Sequence, residues 1–131
     1  MPDRNSEINR LIEIVDLLRS ENGCPWDKEQ TSKSLIPFFI EEVYEAVECI
    51  ENNNDDLKEE LGDGLLHIVF QSSIANEKGY FDLNDVLQNI NNKLTKLIQY
   101  YSLINHNLIL SNKSINRYNQ RQPSISKDKA Q

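Results

Sequence analysis

Residues 41–63 read EEVYEAVECIENNNDDLKEELGD, and Lys58 is the only basic residue among them. Like charges at i,i+4 on a helix cost roughly 0.2–0.5 kcal/mol per pair, so this gathering of carboxylates needs water or a cation to offset it. The apolar positions around the charges decide what carries them. From about Ser34 to Glu51, Ile36, Phe39, Ile40, Val43, Val47 and Ile50 fall on one helical face, with Pro37 tolerated in the first turn. The Asn52–Asn54 run and Asp55 make a turn. A second helix then runs from about Asp55 to Lys78, carries Leu57, Leu61, Leu65, Ile68 and Ala75, and stops at Gly79.

Working outward, residues 4–20 repeat the pattern with Ile8, Leu11, Ile12, Val15 and Leu18, and Asp3 is placed to cap them. Asn22-Gly23 ends that helix, and CPWDKEQT over residues 24–31 reads as a loop between Pro25 and Thr31. Downstream, Asp82 precedes a further helix through Val86, Leu87, Ile90, Leu94 and Leu97. Four helices with short connections predict an all-α, antiparallel four-helix bundle. Four glycines and four prolines leave little turn material for an all-β fold. No internal repeat occurs. We assign residues 1–101 to the helical domain and 102–131 to a divergent polar tail, expected to be disordered or loosely packed because it turns to Asn, Ser, Lys and Gln.

A chain of 131 residues with a formal charge of −7 fits one compact domain. The basic residues Lys113, Arg117, Arg121, Lys127 and Lys129 collect near the end, so the body is more acidic than the total. Such a body is a poor match for a nucleic-acid polymer, which draws on Lys and Arg clusters. Cys24 and Cys49 have no close-spaced Cys or His partner, which excludes a zinc motif and a disulfide framework. Without a secretory signal or an apolar run of membrane-spanning length, the expectation is a soluble, cytoplasmic protein with no membrane partner.

At about 100° per residue, Glu42 and Glu45 lie roughly 60° apart on their helix, and Glu60 with Asp63 repeats the i,i+3 relation on the next. Leu35, Phe38, Ala46 and Cys49 surround Glu42, so that carboxylate is expected to face something other than bulk water. Glu48, Glu51, Asp55, Asp56 and Glu59 read as a solvated face. An all-oxygen ligand set without Cys or paired His points to Mg²⁺, with Mn²⁺ as the alternative, and Mg²⁺ held by few carboxylates takes phosphate oxygens as further ligands. The spacing of an EF-hand is absent. A phosphorylated substrate follows from that chemistry.

GCPWDKEQTSKSLIPFFIEEVYEAVECIE, followed by DDLKEELGDGLLHIVF, resembles the MazG family of nucleoside triphosphate pyrophosphohydrolases from Gly23 to Phe70, weakening through INNKL at residues 90–94. The EExxE pattern, a fourteen-residue spacer and ExxD is similar to that family's metal signature. The resemblance implies a Mg²⁺-dependent hydrolysis of a nucleoside triphosphate to the monophosphate and pyrophosphate. It assigns the metal to Glu42, Glu45, Glu60 and Asp63, and makes Glu41 a further ligand or the base that orients water. It gives Trp26 a base or ribose to pack on, Lys28 a phosphate, and Lys93 and Lys96 the remaining phosphate contacts. A homodimer built on outer apolar helix faces is also implied.

His67 shares the stripe of Glu60 and Asp63, although the motif does not require histidine there. Two departures stand out. Gly64 replaces a large apolar residue, and beyond Lys93 the family's basic segment gives way to Leu97 and LIQYYSLINHNL. The competing reading within enzymes is a related house-cleaning or histidine-pathway pyrophosphohydrolase, against which CPWD speaks. From another class, the competitor is a degenerate homologue that keeps the bundle as a non-catalytic metal-binding or interaction module.

Overall fold

The computed structural model describes residues 4–104, with side chains from Ser6 onward. Five helices follow in order: α1 (Arg4–Leu18), α2 (Pro25–Glu29), α3 (Ile36–Glu51), α4 (Leu57–Glu77) and α5 (Leu83–Ile104). Among the described residues there is no strand, so the fold is all-α. The chain divides into two compact units after Leu83. Asp3 and residues 105–131, including most of the tail read from the sequence, lie outside the described residues.

The first unit is organised by α4. Asp16 accepts a hydrogen bond from Ser73 Oγ at 2.8 Å, and Arg19 pairs with Glu77, so numbers rise together and α1 runs parallel to α4. Phe39 stacks on His67, and Gln71 Nε2 donates to the Ser32 carbonyl at 3.1 Å, so α3 runs antiparallel to α4. Val15, Leu35, Val69, Phe70, Ile74, Ala75 and Leu83 form the buried core. Ser72 and Ser73 are buried among them, and both hydroxyls are satisfied, Ser72 by the Ile68 carbonyl one turn back.

Two of the helix ends have one solution. After α3, Asn53 takes a positive φ of 51°, with Asn54 N–H on the Cys49 carbonyl and Asn53 N–H on that of Ile50. After α4, Gly79 takes φ 72°, with Tyr80 N–H on Ala75 and Gly79 N–H on Asn76. Both are Schellman closures, which satisfy carbonyls a helix end leaves over.

Two expectations need correction. The segment read as a loop contains a helical turn, α2, opened by Pro25 in its first turn, where the missing N–H costs nothing. The second concerns the inward face of α3. Ile36, Ile40, Val43, Val47 and Ile50, the most apolar stripe, are 43–58 % exposed. The covered stripe is Leu35, Phe39, Glu42, Ala46 and Cys49, and it meets α4, with Phe39 on His67 and Glu42 beside Glu60 and Asp63. That seam is apolar at one end and acidic at the other.

Taken on its own, α5 carries Leu87, Ile90, Leu94, Leu97, Tyr101 and Ile104 at alternating three- and four-residue steps, all exposed. It runs as one helix through Tyr101 to Ile104.

Candidate metal centre

Glu42 and Glu45 project one turn apart from α3, and Glu60 and Asp63 one turn apart from α4. Because the two helices are antiparallel, the pairs meet at the acidic end of the seam. One carboxylate oxygen each from Glu42, Glu60 and Asp63 lies within 4.8 Å of the others. All three residues are half-buried, and Glu42 Oε2 and Glu60 Oε2 are buried without a hydrogen-bond partner. An unpartnered buried carboxylate oxygen is costly. Burial pushes the Glu42 carboxyl up to about 7, helped by a hydrogen bond donated to Glu45 and by the charges of Glu45, Asp63 and Glu60. Glu60 is raised by burial first, then by its own hydrogen bond to Glu45 and the charges of Glu45, Asp63 and Glu59. Protons therefore hold the cluster together where no cation does.

The surroundings select what enters. His67 stacks on Phe39 with ring centroids 5.7 Å apart, and its Nδ1 is buried without a partner. Burial lowers the imidazole below its ordinary range, with Asp63 pulling it partly back. Cys49 is buried, and burial followed by the charges of Glu60, Asp56, Glu48 and Glu45 raises its thiol, which leaves it an inert packing group. Glu41, adjacent to Glu42 but turned by about 100°, is exposed and outside the cluster. Glu48, Glu51, Asp55, Asp56 and Glu59 are exposed, as a solvated face requires. A Cβ built on Gly64 would meet nothing within 4 Å, so the space beside Asp63 is open.

The α2 turn approaches from the other end of α3. Trp26 is 52 % exposed and sets its ring edge-on to Phe38, 5.7 Å away and one turn of α3 before Glu42. Lys28, two residues on, faces the opposite side of so short a helix. It lines an open groove of about 420 Å³ with Asp16, Arg19, Asn76 and Glu77. Asn76 and Glu77 stand about 20 Å along α4 from Asp63, at about 1.5 Å per residue. Trp26 thus faces Phe38 on α3, and Lys28 is turned toward the far end of α4. Lys93 and Lys96 are exposed on α5, one turn apart.

Sequence reasoning passed over Arg19. Its Nε and Nη2 donate to the two carboxylate oxygens of Glu77 at 2.7 and 2.9 Å, while Nη1 donates to the carbonyls of Asp27 at 2.7 Å and Gln30 at 3.1 Å. That contact holds the Glu77 carboxyl below its ordinary value. The available signal was a cation just past a helix end beside Asn22-Gly23, and a Cβ on Gly23 would run into the Leu17 and Leu18 carbonyls.

With this geometry in place, comparison with known proteins is decisive. Residues 30–98 match the MazG nucleotide pyrophosphohydrolase domain. The chain belongs to the MazG family. A Thermotoga maritima protein named nucleoside triphosphate pyrophosphohydrolase/pyrophosphatase MazG is 51 % identical over 87 residues, which is 66 % of this chain and 34 % of that protein. An Escherichia coli nucleoside triphosphate pyrophosphohydrolase is 46 % identical over 93 residues, 70 % of this chain and 35 % of its own length. An uncharacterised Bacillus subtilis protein, YabN, is 43 % identical over 91 residues, 69 % of this chain and 19 % of that protein. The chain spans about a third of the length of the two pyrophosphohydrolases.

The MazG match covers α3, α4 and α5 as far as Ile98, and so includes every carboxylate of the cluster. The donor set fits a hard divalent cation: oxygen ligands converge, and two carboxylate oxygens lack any partner. Among the described residues no helix is long and apolar enough to cross a membrane.

Proposed function

We propose that this chain hydrolyses nucleoside triphosphates to the nucleoside monophosphate and pyrophosphate, with Mg²⁺, or Mn²⁺ in its place, held by Glu42, Glu45, Glu60 and Asp63. The observation that carries the reading is the convergence of Glu42, Glu60 and Asp63 oxygens within 4.8 Å, two of the carboxylates with a buried, unpartnered oxygen. Bound there, the ion supplies Lewis acidity and offsets the negative charge of the triphosphate. Glu45 gives up its hydrogen bonds from Glu42 and Glu60 and becomes available as a further ligand. Glu41, exposed beside the cluster, orients the attacking water and takes its proton. The water oxygen bonds to the α-phosphorus, the bond to the bridging oxygen breaks, and pyrophosphate leaves with that electron pair.

In this reading Trp26 offers the base or ribose a face one turn of α3 from the carboxylates. Lys93 and Lys96 supply phosphate contacts. Lys28 is the weaker claimant, because it lines the Arg19–Glu77 groove. A homodimer accompanies the proposal. The exposed stripes Ile36, Ile40, Val43, Val47 and Ile50 on α3 and Leu61, Leu65 and Ile68 on α4 are of the kind a second copy covers. The free thiols of Cys24 and Cys49 support a reducing, cytoplasmic setting.

The test is to incubate the purified chain with Mg²⁺ and a panel of NTPs and dNTPs. The products are resolved as NMP plus pyrophosphate or NDP plus phosphate, with Asp63→Ala as control. Monophosphate and pyrophosphate that vanish in the variant support the reading. Folded protein that binds the metal and turns over nothing leaves a metal-binding or interaction module in its place.

A further inference from the structure

The α2 turn has little of its own to hold it in place. It has five residues, none of them buried, and its N-cap Cys24 makes no side-chain capping bond. A helix so short does not form by propagation, because the cost of nucleation is not recovered. Gln30 closes its end only weakly, with its N–H on the Asp27 carbonyl at 3.3 Å and its Nε2 on that of Trp26 at 3.0 Å. Arg19 adds the anchor that the turn lacks. Its side chain is 7 % exposed, and Nη1 reaches the carbonyls of Asp27 and Gln30 while Nε and Nη2 grip Glu77 at the end of α4. One guanidinium thus ties the turn to α4, and the planar fork makes this a geometry an ammonium does not reproduce. Other ties are the Cys24 N–H on the Leu18 carbonyl at 2.9 Å, the edge-on contact of Trp26 with Phe38 and the bond from Ser34 Oγ to Gln30 Oε1 at 2.8 Å.

We propose that Arg19 is a positioning residue for nucleotide binding: clamped by Glu77, it fixes α2 so that Trp26 presents its ring beside Phe38, one turn of α3 from Glu42. The proposal rests on the reading that Trp26 meets the nucleotide. Arg19 itself touches neither the carboxylates nor the substrate. Its loss therefore leaves the metal centre unchanged and weakens the hold on the base.

Trp26 is the single tryptophan of the chain, so its fluorescence reports on α2 alone. Arg19→Lys and Glu77→Gln are compared with the parent by circular dichroism, Mn²⁺ binding, time-resolved anisotropy of Trp26, and the KM and kcat for the preferred nucleotide. Both variants are expected to stay helical, to bind Mn²⁺ within about twofold of the parent, and to show a larger fast component of Trp26 motion. KM should rise about tenfold, the change equivalent to one charge-assisted hydrogen bond, with kcat altered less than about threefold. Phe38→Ala should move the same two readouts in the same direction.

Trp26 motion unchanged in both variants overturns the proposal. So does increased motion without a change in KM, or a loss of Mn²⁺ affinity that matches the rise in KM. A parent that neither binds nor hydrolyses nucleotide overturns the functional reading beneath the proposal, while the anisotropy of Arg19→Lys still decides whether the clamp seats α2.

Discussion

Proton release on metal binding follows directly from the state of Glu42. Its carboxyl titrates at about 7 in the metal-free protein, and a carboxylate must lose its proton to coordinate a cation. At pH 6 a group titrating at about 7 is about nine-tenths protonated, so binding displaces about 0.9 proton from Glu42; at pH 8 the figure falls to about 0.1. The same linkage makes the apparent affinity rise about tenfold between pH 6 and pH 8 from Glu42 alone. Calorimetric titration with Mn²⁺ in buffers of different ionisation enthalpy measures both quantities. Glu42→Gln should remove most of the proton release at pH 6. The stability of the metal-free protein runs the opposite way with pH. Between the ordinary value of 4.5 and about 7 the folded state holds more protons than the unfolded chain, so stability present below 4.5 is lost as pH rises through about 7. Metal should restore it at pH 8. Equal affinities at pH 6 and pH 8, with no buffer-dependent heat, would refute the reasoning, because the convergence of carboxylates would then carry no proton for the metal to replace.

Three further outcomes are expected. Ser73→Ala should cost about 1 kcal/mol in chemical denaturation, since it removes the 2.8 Å bond to Asp16 but leaves that exposed carboxylate free to hydrate. Gly64→Ala should stabilise by up to about 1 kcal/mol, because a Cβ there meets nothing and mid-helix glycine is disfavoured; a lower melting temperature would contradict the open space beside Asp63. Val43→Asp, in the middle of the exposed α3 stripe, should convert a dimer to a monomer by light scattering, and a monomeric parent would sink the association proposed above.

Much of this was legible in the sequence, for reasons that differ by residue. The acidic pairs were readable because i,i+3 spacing fixes two side chains on one edge whatever the helix packs against. The semi-apolar neighbours Leu35, Phe38, Ala46 and Cys49 signalled that Glu42 leaves bulk water; Glu42 is half-buried, although Phe38 itself is exposed. Periodicity identified the stripes of α3 but not which one turns inward. The more apolar one faces out, because the covered seam has to accommodate the carboxylates. The α2 turn was hidden by its length, since five residues show no period, and only Pro25 marked its start. Arg19 was not readable from spacing at all. Its side-chain partner lies 58 residues away, and its other partners are backbone carbonyls, which have no letter in a sequence.

The division of labour along α4 has an evolutionary consequence. Its buried residues run from Val69 to Ala75, while Glu60 and Asp63 sit in the first two turns at the edge of the core. Substitutions in the later half threaten folding, so drift there is confined to residues of similar volume. Those in the first two turns change charge and ligand geometry at little cost to the scaffold. A lineage built on this helix is therefore free to retune what the centre binds, or to lose its chemistry altogether, while keeping a foldable protein.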